Sequence, residues 1–162
     1  MNITIIAAVA GNRVIGNTDG LPWSCKEDLK WFKENTLGKA VILGRKTYET
    51  LSGPLSERTN IVITRDEQYK ADPGVLILPS VDTAISLCKL NPDETFIIGG
   101  ASVYEQAMSS VDRLLITHIE QDFDGNAFFP HIDPNVWEKK LIRQGEESNE
   151  DFTYGFYEYR LK

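Results

Sequence analysis

The chain has 162 residues, 41% of them apolar and 25% charged, with a net charge of −7 and an isoelectric point near 4.9. That length suits one domain able to bury about two-thirds of the surface its unfolded chain exposes, and the composition excludes disordered and collagen-like chains. An acidic protein repels the phosphate backbone of nucleic acid, so any anionic ligand has to be met by local basic residues. The cysteines, Cys25 and Cys88, are too few for a disulfide scaffold and lack metal-ligand spacing. Both read as free thiols in a reducing compartment. The opening apolar run has no basic segment ahead of it, and no apolar stretch of ~18 residues follows. A cytoplasmic protein without metal is expected, and with no repeat or linker residues 1–162 read as one unit.

In chain order, runs rich in Val and Ile at 3–9, 40–43, 61–64, 75–78 and 96–98 read as strands buried on both faces, as in a parallel sheet covered by helices. Helix-like segments lie between several of them, at 26–37, 46–51, 81–90 and 102–108. Gly38 closes the first at a C′ position. After Arg113 the character changes: 114–119, 137–142 and 153–159 are strand-like with no helix between. An α/β sheet finished by antiparallel strands satisfies both halves. Long loops are expected at 11–24, with Gly16, Gly20 and Pro22, and at 120–134; such loops in a small domain often carry function.

Asp28 is the most informative residue. On a helix it shares a face with Phe32, four residues on. An acid beside an aromatic wall suits proton donation to a flat, nitrogen-rich ring, because burial raises a carboxyl pKa toward neutrality. Taken alone, an acid in a first turn also complements the helix dipole.

Several strand ends carry phosphate chemistry. Gly44-Arg45-Lys46-Thr47 follows a strand and opens a helix, placing free amides, two cations and a hydroxyl together. It is not a Walker A loop, since that glycine pattern is absent. Gly99-Gly100-Ala101-Ser102-Val103-Tyr104 follows another strand, and its glycines would let backbone approach a pyrophosphate. A full dinucleotide-binding glycine fingerprint is not present. Thr64-Arg65 ends a third strand and, with Arg45, suits an extra phosphate such as the 2′-phosphate that separates NADP from NAD. Arg58 can grip a carboxylate bidentately, although an exposed loop arginine is the plainer reading of it alone. Thr117 can hydrogen-bond a buried carboxylate or simply fill a strand. His118 and His131 show no acid–base partner.

These residues, taken together, resemble dihydrofolate reductase of the bacterial type from Ile3 to about Tyr159. The matching pieces are Ile6-Ala7-Ala8, Asn12-Arg13-Val14-Ile15-Gly16, Leu21-Pro22-Trp23, Asp28-Leu29-x-Trp31-Phe32-Lys33, Gly44-Arg45-Lys46-Thr47, Pro54-Leu55 and Arg58-x-Asn60. Further on come Ile98-Gly99-Gly100, Val103-Tyr104, Thr117-His118-Ile119 and Phe128-Phe129-Pro130. Each is short, but their joint order and spacing are specific.

The resemblance implies an α/β domain with an eight-stranded, mostly parallel twisted sheet, antiparallel C-terminal strands and flanking helices. It implies NADPH as hydride donor, 7,8-dihydrofolate as acceptor, antifolates as inhibitors, a monomer, and a role in tetrahydrofolate supply for one-carbon metabolism. Asp28 would hold the pterin and promote protonation of N5, with Thr117 supporting it. Ile6, Ala8, Leu29, Phe32, Leu51 and Ile98 would wall the pterin and aminobenzoyl groups, while Arg58, assisted by Lys33, would bind the glutamate tail. On the cofactor side, Gly44, Arg45, Lys46, Thr47, Thr64 and Arg65 would meet the adenosine phosphates, and Ile98, Gly99, Gly100, Ala101, Ser102, Val103 and Tyr104 the pyrophosphate. Ala8, Ile15, Gly16, Asn17, Gly20 and Leu21 would enclose the nicotinamide, and closure of the 11–24 loop would gate turnover.

The chain departs from the pattern at Cys25-Lys26, where a Leu-Pro pair is usual, at Gly53 for a frequent arginine, at Asn126 for an aspartate, and at Ser102. A related pyrimidine reductase of the riboflavin pathway is the nearest alternative enzyme, and a non-catalytic dinucleotide-binding module the alternative outside enzymes. Asp28, Phe32 and Arg58 favour a pterin bearing a glutamate.

Overall fold

The computed structural model describes residues 2–16, 21–146 and 151–162. The first half contains β1 (Ile3–Ala10), β2 (Val14–Gly16), α1 (Lys26–Thr36), β3 (Ala40–Gly44), α2 (Arg45–Glu49), β4 (Thr59–Ile63) and β5 (Leu76–Leu78). The second contains α3 (Val81–Cys88), β6 (Thr95–Gly99), α4 (Ala101–Ala107), β7 (Arg113–Ile119), β8 (Ala127–Phe128), β9 (Trp137–Gln144) and β10 (Tyr154–Leu161). Eight strands form one sheet in the order β5-β4-β3-β6-β1-β7-β10-β9. All neighbours from β5 to β7 are parallel, and β10 runs antiparallel to both β7 and β9. The mixed α/β architecture expected from the sequence is therefore the one observed. Among the described residues, no helix is long and apolar enough to cross a membrane.

Alternation along each strand divides the core into two layers, because successive side chains point to opposite faces. Ile3, Ile5 and Val9 of β1 pack with Ile42, Ile97, Leu114 and Ile116 against Val81, Ala84 and Ile85 of α3 and Val103, Tyr104 and Ala107 of α4. On the other face Ile6 packs with Val41, Phe96 and Leu115 beneath Trp31 and Phe32 of α1. Since a fully buried aliphatic or aromatic side chain contributes about 1.5–3 kcal/mol, these two layers dominate the stability.

The helix α1 begins at Lys26 with Cys25 as an extended N-cap residue that makes no side-chain cap. Asp28 and Glu27 both occupy the first turn, where negative charge meets the positive end of the dipole. At the other end the Leu37 amide donates to Lys33 O, and Gly38 at φ +78° turns the chain toward β3, as its position predicts.

The helices expected at 46–51 and 81–90 stop earlier, at Glu49 and Cys88, because their last residues form single turns instead of continuing. Conversely, β9 and β10 extend to Gln144 and Leu161, where antiparallel pairing overrides a polar sequence. The two long loops contain short strands absent from the sequence reading. β2 pairs with β8, matching Val14 with Phe128 and Gly16 with Ala127. Segments of three and two residues are too short to show a period.

Candidate active site

Parallel pairing of β1 with β7 sets Ala8 beside Thr117, so both face α1. Thr117 is buried, and its hydroxyl donates to Asp28 Oδ1 at 2.6 Å. The two readings left open for Thr117 are thereby resolved. Asp28 itself is half-buried at the start of α1. Burial pushes its carboxyl up from an ordinary value of 3.8 to about 6; the Thr117 bond works against this rise, and the neighbouring Glu27 carboxylate adds to it. An acid poised there exchanges a proton readily near neutral pH.

From Asp28 a band of apolar side chains follows α1. Phe32 and Ile98 are half-buried and pack against the layer containing Ile6, while Ile98 and Leu51 both pack against the cluster of Leu43, Tyr48 and Val62. Leu29 is 60% exposed at the rim, with Lys33 one turn further along the same side. A flat ring can slide between these walls. At the far end Arg58 Nη1 donates to Thr36 Oγ1 at 3.0 Å, and its Nε donates to Ser56 O at 2.9 Å. Eight residues of helix separate Asp28 from Thr36, roughly 12 Å along the axis. One end of α1 thus carries an acid and the other a fixed guanidinium.

The loop carrying Arg58 is held by a residue whose part the sequence does not reveal. Asn60 is buried; its amide group donates to Leu55 O and Arg58 O and its oxygen accepts from the Leu55 amide. An asparagine at the start of a strand is an uncommon choice, and beside its place in the Arg58-x-Asn60 match that is the signal pointing to it. Thr36 is likewise silent in sequence, yet its hydroxyl donates to Phe32 O at 2.9 Å while accepting from Arg58.

The expected phosphate residues gather at one edge of the sheet, since β4, β3 and β6 are parallel neighbours and their carboxyl ends lie side by side. Gly44 precedes α2 and Gly100 precedes α4, and neither helix start has a side-chain cap. A Cβ at Gly44 would lie 3.2 Å from Val103 Cγ2, and one at Gly100 would lie 3.0 Å from Thr47 Oγ1. Glycine at both positions therefore keeps the backbone edge open, which fits a dinucleotide approaching closely. Lys46 and Arg65 are exposed. Arg45 lies 3.8 Å from Asp66 and 5.6 Å over the Tyr69 ring, and Thr64 Oγ1 accepts from the Asp66 amide. Ala101 is half-buried and Ser102 exposed, with Ser102 bonded within its helix by Gln106. Val103 and Tyr104 are buried core residues, and the Tyr104 hydroxyl donates to Ile6 O at 2.9 Å.

Of the expected nicotinamide enclosure, Asn17 and Gly20 lie outside the described residues. Ile15 is half-buried and Leu21 exposed, and Ile15 and Gly16 belong to β2. The described part of this loop is fastened to the 120–134 segment. Asn12 Nδ2 donates to Phe123 O at 2.9 Å, Arg13 Nη1 donates to Phe129 O at 3.1 Å, and the Phe129 amide donates to Arg13 O. The β2–β8 pairing persists beside Asn126. At another departure, Gly53 adopts φ +138°, a conformation that strains any larger residue.

His118 has a partner after all. Its Nε2 lies 2.8 Å from the Tyr159 hydroxyl, and burial with Lys139 nearby lowers its pKa to about 4, so the ring stays neutral on the outer strands. Cys25 and Cys88 are both buried, and no disulfide joins them.

A mostly parallel sheet covered on both faces, with a tuned acid and an open glycine edge at strand ends, defines an α/β nucleotide-dependent reductase. The dihydrofolate reductase family model matches residues 2–161, so the chain belongs to that family of oxidoreductases. It is 42% identical over 160 residues to a dihydrofolate reductase of Neisseria gonorrhoeae, covering 98% of each chain. It is 36% identical to the Bacillus subtilis enzyme, covering 99% of this chain and 95% of the relative. Among solved structures, dihydrofolate reductase from Enterococcus faecalis complexed with NADP(H) and RAB-propyl superposes with a TM-score of 0.87 at 34% identity. That match covers 99% of this chain and 96% of the other.

Proposed function

We propose that the chain reduces 7,8-dihydrofolate to 5,6,7,8-tetrahydrofolate with NADPH as the hydride donor. The observation that carries the reading is the apolar band along α1, with the Thr117-bonded Asp28 at one end and Arg58 held by Thr36 at the other. It suits an elongated ligand with a basic ring at its head and a carboxylate at its tail.

In this reading Asp28 binds the pterin edge and promotes protonation of N5, with Thr117 fixing the carboxylate and keeping part of its charge available. Ile6, Ala8, Leu29, Phe32, Leu51 and Ile98 hold the rings and exclude water from the reacting face. Arg58 pairs with the glutamate carboxylate, with Lys33 at the rim adding charge. NADPH, when bound, supplies the hydride. Gly44 and Gly100 admit its backbone contacts, Lys46 and Thr47 meet phosphate, and Arg65 with Thr64 faces the 2′-phosphate. Ile15, Gly16, Asn17, Gly20 and Leu21 close over the nicotinamide.

The same reading makes the protein a cytoplasmic monomer, one domain over residues 1–162, that supplies tetrahydrofolate for one-carbon metabolism and binds antifolates along α1. Loss of absorbance at 340 nm on mixing with NADPH and dihydrofolate tests it. Oxidation that depends on dihydrofolate is expected. Equal oxidation with a riboflavin-pathway pyrimidine, or none with dihydrofolate, would overturn it.

A further inference from the structure

The first turn of α1 carries two carboxylates, and the apolar band starts at one. Glu27 points away from it and is 9% exposed. Its Oε1 accepts from the Tyr154 hydroxyl at 2.7 Å and the Glu146 amide at 2.8 Å, and its Oε2 accepts from Arg143 Nη2 at 3.2 Å. A phenol, an amide and a guanidinium converging on one group are the partners of an ionised carboxylate, which only accepts.

The surroundings are shaped around this contact. A Cβ at Gly145 would lie 2.3 Å from Tyr154 Cε2, so glycine there admits the ring whose hydroxyl reaches Glu27. The Arg143 guanidinium also lies 5.4 Å over Trp31 and 5.0 Å over Phe156, and those two rings are 4.7 Å apart. Trp31 stands one helical turn after Glu27, on the same side of α1. The β9–β10 hairpin is thereby clamped to the turn that bears Asp28.

The geometry points to Glu27 as a positioning residue for the reaction: its buried carboxylate fastens the first turn of α1 to the β9–β10 hairpin, and its charge beside Asp28 helps hold the proton there. This rests on the reading of Asp28 as the acid. A like charge disfavours ionisation of its neighbour. Burial is the largest cause of the high Asp28 value and Glu27 is a further one. The groups facing Asp28 from other elements are Thr117 of β7 and Tyr104 of α4, whose phenol senses the Asp28 charge. Among the described residues, Arg143 of β9 and Tyr154 of β10 face Glu27, and Lys26, Lys30 and Glu146 line an open cleft of ≈ 330 Å³ beside it.

The test compares Glu27→Gln, Glu27→Asp and Tyr154→Phe with wild type by two readouts. These are the carbon-13 titration of the Asp28 side-chain carboxyl in the free protein, and single-turnover hydride transfer from NADPH to dihydrofolate against pH. Glu27→Gln should lower both midpoints by about half a pH unit, on the order of a threefold rate loss above the midpoint, with the acid plateau kept. Glu27→Asp, which retains the charge, should restore the midpoint, and Tyr154→Phe should not lower it. An unmoved midpoint in Glu27→Gln, or an equal fall in Tyr154→Phe, overturns the inference. If Glu27→Gln does not fold, Arg143→Gln decides: stripping the counter-charge from Glu27 should raise the midpoint, and no rise overturns it. Should wild type fail to reduce dihydrofolate, the proposed function fails, while the carboxyl titration still judges Glu27.

Discussion

Thr117 donates its hydroxyl to Asp28 at 2.6 Å across 89 residues of sequence. The bond ties β7 to the first turn of α1, and it opposes the effect of burial on the same carboxyl. Burial wins, leaving Asp28 at about 6, so both protonation states are populated near neutrality. The proposed role of Asp28, holding the pterin and passing a proton, needs that balance.

Removing the acid tests the chemistry. General acid–base groups contribute roughly 10²–10⁴-fold, so Asp28→Asn should slow hydride transfer to dihydrofolate by about that factor at pH 7. Activity should partly return in acid, where solvent delivers substrate already protonated at N5. Stopped-flow single turnovers across pH make the measurement. A variant within about twofold of wild type at pH 7 would remove Asp28 from the reaction.

The same substitution should stabilise the protein. A carboxyl raised from 3.8 to about 6 binds its proton more tightly in the folded state, so stability falls as pH rises through that window and stays lower above it. The full shift corresponds to about 3 kcal/mol, and partial exposure of Asp28 reduces it. Asp28→Asn should therefore be about 1–3 kcal/mol more stable than wild type at pH 7, with the difference gone below about pH 4. Urea unfolding at both pH values reads this directly. A pH-independent difference would assign the effect to packing instead.

In the proposed reading Arg58 meets the substrate tail. Its Nη1 and Nε are committed to Thr36 and Ser56, which fixes the fork without satisfying all five donors. Arg58→Leu should weaken folate binding by roughly 1.5–3 kcal/mol, the usual range for a hydrogen bond to a charged group, and leave NADPH binding unchanged. Isothermal titration with folate and with a pterin lacking glutamate separates the outcomes. Equal losses for both ligands would place Arg58 away from the tail.

Much of this site was legible in the sequence because its parts sit on strongly patterned elements. Val- and Ile-rich runs mark the sheet, and the glycine and cationic residues that follow β3 and β6 are adjacent in sequence as well as in space. What stayed hidden depends on contacts between distant segments. The sequence assigns no role to Glu27, and only the return of β10 shows that Tyr154 covers it. Asn60 and Thr36 act through hydrogen bonds to loop and helix backbone, which leave no periodic trace. The β2–β8 pair is held by Asn12 and Arg13 reaching more than a hundred residues onward, and no local propensity encodes that reach.

In the proposed reading cofactor choice falls to two arginines in unequal settings. Arg45 already lies beside Asp66 and over Tyr69, whereas no carboxylate pairs with Arg65 among the described residues. An exposed guanidinium at the end of β4 is the better placed of the two for the 2′-phosphate that NADH lacks. Losing one charge-assisted partner of about 1.5–3 kcal/mol corresponds to roughly 10- to 150-fold in affinity. Arg65→Ala should weaken NADPH binding by that order and leave NADH nearly untouched, and the loss should shrink as salt rises because an exposed ion pair is screened. Fluorescence-quenching titrations of both cofactors at two ionic strengths provide the measurement. Parallel losses for NADPH and NADH would move the phosphate contact from Arg65 to Arg45, whose release from Asp66 would then be part of binding.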